Sequence, residues 1–297
     1  MPTQLRPRSA TEIIDVAVQI IRQRFAQLVA ISLIAYAPLV VAAAVFGASI
    51  ALLMPKLAAK DGTGTGTVVG LVITGFVIGL SFMVGMTVAN AAITVIVSEA
   101  YLGREPSAGA ALRQALSRAG SLIAVLLVQM LAGFIAFAAS MPFLLLGPLW
   151  LIGVMVLLLI AYAWTFAMPA VVILEGRRAV ASFDRSYKLV QGHMRRVAGI
   201  LAVTTVLVWI MSIVTLVLVQ MLASLLHVAA LGLIGSFAQL LFFPMVGVVV
   251  TLLYYDLRIR KEGFDLEMMA SELGAATGTV PASEIHLDAA TSTSLPS

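Results

Sequence analysis

Glu175-Gly-Arg-Arg-Ala-Val-Ala-Ser-Phe-Asp-Arg-Ser-Tyr-Lys-Leu-Val-Gln-Gly-His-Met-Arg-Arg196 packs six basic residues between two long stretches with no charge, 119–174 and 197–255. Two more charge-free stretches, 25–54 and 68–98, precede them. Each exceeds the roughly 20 residues needed to cross about 30 Å of hydrocarbon. At 1.5 Å per residue the two longest would make helices of about 85 Å, so each is expected to fold back on itself. Ser140-Met141-Pro142 and Leu226-His227 mark the reversals, where a polar or proline-containing turn emerges from lipid.

Six spans are therefore expected, at about 25–54, 68–98, 119–139, 143–173, 197–225 and 229–255. The basic residues fall in alternate gaps: Arg6, Arg8, Arg22 and Arg24; Arg104, Arg113 and Arg118; the six of 175–196; and Arg258, Arg260 and Lys261. Of 18 Lys and Arg, only Lys56 and Lys60 lie elsewhere. By the positive-inside rule both termini are expected in the cytoplasm.

Composition agrees with this class. At 61% hydrophobic and 11% charged residues, the chain has too little polar surface for a soluble domain. The pI near 9.6 follows from topology, and no nucleic-acid partner is expected. With no cysteine, disulfides and thiol chemistry are excluded. The first apolar run is too long for a cleaved signal sequence, so 25–54 is read as a span.

Three amphipathic segments precede pairs of spans. In the first, Ile14, Val18, Ile21 and Phe25 form an apolar stripe, opposite Glu12, Asp15, Gln19 and Arg22, with Ser9 or Thr11 as cap. In the second, 107–118, Ala108, Leu112 and Ala115 or Leu116 face away from Arg113 and Ser117. In the third, 179–196, Val180, Phe183, Tyr187, Val190 and Met194 oppose Asp184, Lys188, Gln191 and Arg195. The expected fold is thus an all-α integral membrane protein, built as three repeats of a cytoplasmic interfacial helix plus a transmembrane hairpin. Residues 1–24 form a cytoplasmic arm, 25–256 the membrane domain and 257–297 a cytoplasmic tail. Glycine makes 61–67 a linker, and the composition after Gly274 predicts disorder.

Catalytic constellations are missing from the sequence. His193, His227 and His286 are expected in separate places, and no P-loop, GxSxG or HExxH occurs. No metal, cofactor or enzymatic activity is expected. The most polar intramembrane feature is Thr87, Asn90, Thr94 and Ser98, which share one helix face. Gly75 and Gly79, then Ser81, Gly85 and Ala89, are expected to permit close backbone approach. Such a stripe serves helix packing or lines a substrate path. Pro38, Pro169 and Pro244, in the first, fourth and sixth spans, are candidate bends.

At the cytoplasmic boundary, Glu175, Arg177, Arg178, Arg185, Lys188, Arg195, Arg196, Asp256 and Arg258 form a candidate charge network or lipid contact. Glu175 or Asp256 is expected to pair with an arginine from another segment. Partners are expected to be membrane lipids, anionic ones among them, and a membrane or cytoplasmic protein.

Thr11-Glu-Ile-Ile-Asp15 with Arg24-Phe25, Pro169-Ala-Val-Val-Ile-Leu-Glu175 with Ala181-Ser-Phe-Asp-Arg-Ser-Tyr-Lys-Leu-Val190, and Leu252-Leu-Tyr-Tyr-Asp-Leu-Arg258 through Asp265 carry a family likeness. Together they resemble the membrane domain found beside some bacterial glycerophosphodiester phosphodiesterases. The resemblance implies a six-helix membrane module. It does not imply phosphodiesterase activity, since that family's catalytic part is a separate soluble barrel of roughly 250 residues. The expected role is a non-catalytic scaffold, regulatory or lipid-contacting module. The alternative is a transporter or transporter subunit for a small molecule or lipid.

Overall fold

The computed structural model describes residues 8–58, 65–226, 242–264 and 266, and among them every regular element is helical. The expected tail disorder after 274, most of the 61–67 linker, His227 and His286 lie outside these residues.

The chain opens with α1 (Ala10–Ala58). Its start is a capping box: the Glu12 N–H donates to Ser9 Oγ at 3.2 Å, and the Ser9 N–H donates to Glu12 Oε2 at 2.9 Å. Arg24 carries non-helical dihedrals (φ −117°, ψ 21°), so the polar first part of α1 meets the apolar part at a kink there. Pro38 lies in helix beyond that kink, so the expected bend falls at Arg24 instead.

Next come α2 (Thr65–Tyr101), α3 (Ala108–Ser117) and α4 (Ala119–Ser140). Ser140 does end its helix: its hydroxyl donates back to Phe137 O at 2.5 Å, and Pro142 opens a 3₁₀ segment, Met141–Leu146. Gly147 at φ +61° completes the reversal, so α5 runs Leu149–Thr165 and starts six residues later than expected.

After Thr165 come α6 (Met168–Ala170) and a π-helical turn, Val171–Glu175. Then α7 (Ala179–Val190) is followed by α8 (Met194–Leu226) and α9 (Phe243–Glu262). The amphipathic segment expected over 179–196 is thus two elements, parted at Gly192, whose φ of +86° suits glycine. Pro244 lies in the first turn of α9, where its missing N–H costs no helical hydrogen bond, and it bends nothing.

Five helical stretches are long and apolar enough to cross a membrane: Ala10–Ile34, Val68–Tyr101, Ala119–Leu146, Leu149–Glu175 and Met194–Leu226. The chain is accordingly a multi-pass membrane protein. Residues 229–241 of the expected sixth span are outside the described residues.

The core gathers at the end of each helix that bears the basic residues. It draws on Ile13 to Ile31, Val88 to Tyr101, Ala111 to Val125, Ala163 to Ile173, Leu189 to Leu201 and Val248 to Phe264. At the middle of it is α9, which packs on α1, α2, α7 and α8 and is buried without a break from Gly247 to Leu257. The opposite halves of α2, α4, α5 and α8 expose large apolar side chains, among them Val72, Phe76, Leu131, Phe134, Leu151 and Trp209. Lipid tails are as apolar as leucine, so these surfaces suit a bilayer.

That equivalence explains two corrections. In α1 the buried line is Ile13, Ala17, Ile20, Leu28 and Ile31, whereas Val18 and Phe25 of the expected stripe are exposed. In α7 the buried line is Ala179, Ser182, Ser186, Leu189 and Val190, and Val180 is 80% exposed. The small residues face protein and the bulky ones face outward, since small residues let helix backbones approach. Leu116 is likewise exposed, while Ala111 and Ala115 are buried. A Cβ at Gly75 would lie a tight 3.2 Å from the Phe46 ring of α1, and one at Gly79 would meet nothing within 4 Å among the described residues.

Candidate functional site

Two polar arrangements stand out, one at the basic face and one within the helices. At the basic face, Asp256 is 3% exposed. Its Oδ1 accepts from the Arg8 backbone N–H at 2.9 Å, and its Oδ2 accepts from Arg196 Nη2 at 3.1 Å and Arg260 Nε at 2.9 Å. Both guanidiniums also donate to Arg8 O, Arg260 at 2.7 Å. One carboxylate thus joins the start of the chain, α8 and α9, and the buried charge is fully partnered.

A second centre lies beside it. Glu175 accepts from Arg185 Nε at 3.1 Å, from Arg177 Nε at 2.9 Å and from the Tyr254 hydroxyl at 2.8 Å. Arg185 reaches on to Glu262 in α9, with Nη2 donating to Oε2 at 2.7 Å, and Arg258 donates to the same oxygen at 3.2 Å. Partial burial pushes the Glu262 carboxyl up, but the hydrogen bonds and charges of Arg185 and Arg258 outweigh it and hold the group below its ordinary value. The same contacts raise the Arg185 guanidinium, against the effect of burial. Arg258 also lies over the Phe264 ring at 4.2 Å.

The remaining expected residues are peripheral. Lys188 pairs with Asp184 at 2.7 Å on the exposed side of α7, and Arg178 and Arg195 are exposed, with no ion pair among the described residues. Composition pointed to the acids and arginines, but it did not single out Arg8, Arg260, Glu262 or Tyr254. The four-residue spacings of Asp256 to Arg260 and Arg258 to Glu262 were the available signal.

Inside the bundle, Ser98 Oγ and the Tyr255 hydroxyl are 2.5 Å apart, and Thr251 Oγ1 and Thr94 Oγ1 are 3.2 Å apart. These contacts join α2 to α9. Higher on the same stripe, Thr87, Asn90 and Thr94 line a cavity of about 100 Å³, together with Gln129, Tyr162, Phe166, Pro169 and Gly247. Of the candidate bends, Pro169 borders it. Pro169 has no N–H to offer the carbonyl four residues back, Thr165 O. Gln129 Nε2, from α4, donates to that oxygen at 3.1 Å. The helix break at Phe166–Ala167 is therefore satisfied from a neighbouring helix, as broken helices in membranes require.

Lower down, Arg118 Nη1 donates to Val172 O at 3.1 Å, capping the π-helical turn. Gly176 ends that turn at φ +72°, and a Cβ there would come within 3.1 Å of the same guanidinium.

No group of metal-binding side chains occurs among the described residues. Comparison with family models, curated proteins and solved structures found no match for this chain.

Proposed function

We propose that this chain is a non-catalytic multi-pass membrane module whose basic face contacts lipid headgroups, a role in keeping with its resemblance to the glycerophosphodiester phosphodiesterase membrane domain. In this reading six helices cross a bacterial inner membrane with both termini in the cytoplasm. Val68–Tyr101, Ala119–Leu146, Leu149–Glu175 and Met194–Leu226, each long and apolar enough to cross, support it, as does the apolar start of α9. The threefold repeat is supported by the first part of α1, by α3 and by α7, each of which leads into long apolar helices.

The observation that carries the proposal is the orientation of α7. Ser186 Oγ donates to Trp164 O at 2.7 Å, fixing the small face of α7 inward. Val180 points outward, and Tyr187 meets Trp164 edge to face with both rings partly exposed. Arg177, Arg178, Lys188 and Arg195 are exposed beside them. Outward aromatics with a fringe of basic residues suit the headgroup layer.

The test uses the full chain in nanodiscs of phosphatidylglycerol or phosphatidylcholine. Greater thermal stability in the anionic lipid, abolished by Arg178→Gln, Lys188→Gln and Arg195→Gln together, is the expected result. Equal stability of the native protein in both lipids sinks the reading.

A second reading, small-molecule transport, is favoured by the cavity bordered by Asn90 and Pro169. Uptake of a solute into proteoliposomes that is lost with Asn90→Leu in a normally assembled protein would separate it from the first.

A further inference from the structure

The lining of the intramembrane cavity is hydrogen-bonding and uncharged. Thr87 and Thr94 already donate their hydroxyl protons within α2, to Met83 O at 2.8 Å and Asn90 O at 2.9 Å, so they offer only lone pairs. Gln129 uses one amide proton on Thr165 O and keeps the other, together with its carbonyl oxygen. The Asn90 side-chain amide has no protein partner among the described residues, yet it borders the cavity. Its position is fixed by α9: a methyl group at Gly247 would lie 3.1 Å from Asn90 Oδ1 and 3.0 Å from Ile93 Cγ2. The amide is half-buried and faces the cavity, so its donors and its acceptor are both open to an occupant there.

We infer that the cavity formed by Thr87, Asn90, Gln129, Tyr162 and Pro169 is a binding site for a small neutral solute carrying both hydrogen-bond donors and acceptors, such as a primary amide. Charge is disfavoured because no Asp, Glu, Lys or Arg among the described residues lines the site to offset desolvation. Size is set by volume. A cavity of 150 Å³ holds benzene, so about 100 Å³ holds about three waters or a solute of about four non-hydrogen atoms. Acetamide meets both conditions, and mannitol is too large. The inference deepens the transport reading and rests on the cavity it invokes, but it requires no movement of solute across the membrane.

Because the chain has no cysteine, a single introduced thiol reports without background. Thr87→Cys is reconstituted in nanodiscs and treated with neutral methyl methanethiosulfonate or a cationic analogue, with Ser81→Cys on the exposed face as control. The neutral reagent is expected to label the cavity thiol much faster than the cationic one. Acetamide is expected to slow that labelling saturably and several-fold, with mannitol inert and the control thiol unaffected. Adding Asn90→Leu should abolish the protection, and Tyr162→Phe should weaken it, the latter serving if Asn90→Leu fails to fold.

Equal labelling by both reagents, no labelling of a folded protein, or neutral labelling that acetamide does not slow each overturn the site. Protection without flux in proteoliposomes sinks transport and leaves the site standing; flux without protection does the reverse.

Discussion

Asp256→Asn isolates what the buried carboxylate contributes, since it keeps shape and removes charge. In the native protein Asp256 Oδ2 faces the guanidiniums of Arg196 and Arg260, whose side chains are 26% and 28% exposed. Breaking a fully buried pair by removing one partner costs about 3–5 kcal/mol, because the other charge is left desolvated. Here both arginines can recover part of their hydration, so a cost of about 2–3 kcal/mol is expected. At about 2–4 °C per kcal/mol for a protein of this size, melting should fall by about 4–12 °C. Tryptophan fluorescence in nanodiscs reads the transition. In an Arg196→Met background the same substitution should cost less by about 1 kcal/mol, as expected for groups in direct contact. A drop below about 1 °C in the native background, or full additivity of the two changes, would refute the reasoning that Asp256 holds the basic face together.

Three further outcomes follow from the geometry. Gln129→Leu strands Thr165 O opposite Pro169 and should destabilise by about 0.6–2 kcal/mol, the range for hydrogen bonds between membrane helices; a melt equal to the native one counts against the Gln129 contact. Gly247→Ala must displace Ile93 or Asn90 and should cost about 1–3 kcal/mol, with Asn90→Ala in the same chain relieving part of it in a double-mutant melt. Glu262 has its carboxyl held low in the folded protein, so its stabilising effect is complete above the ordinary glutamate value of about 4.3 and is lost as pH falls from there through the lower folded value. Glu262→Gln should therefore remove one acid-dependent component of a melting series and change nothing in its slope near neutrality; an unchanged acid limb contradicts the Arg185 contact.

The membrane class, the reversal at Ser140–Pro142, the Ser9 cap and the polar line on α2 were legible because each depends on local chemistry or on run length. Which face of a helix meets protein was not. Val18 and Val180 are as apolar as Ile13 and Leu189, and with lipid as the outer solvent, periodicity cannot separate an outward valine from an inward one. Ala17, Ser182 and Ser186 carried the better signal, since close helix contact selects for small volume. At the site, Thr87, Asn90 and Thr94 could be placed on one face by spacing alone. Tyr162, Phe166 and Pro169 share a face at spacings of 4 and 3, but Gln129 comes from another helix and no local pattern connects it, or α2, to them.

The Asp256 clasp joins Arg8 to a residue 248 positions later. During synthesis, Arg8 and Arg196 emerge first and must wait for Asp256, while Glu175 and Arg185 wait for Tyr254 and Glu262. The preceding helices therefore enter the bilayer before the contacts that gather their ends exist. Closure is a late event in biogenesis, and a chain stopped just short of residue 254 would reach the membrane with its helices inserted and its basic face unfastened.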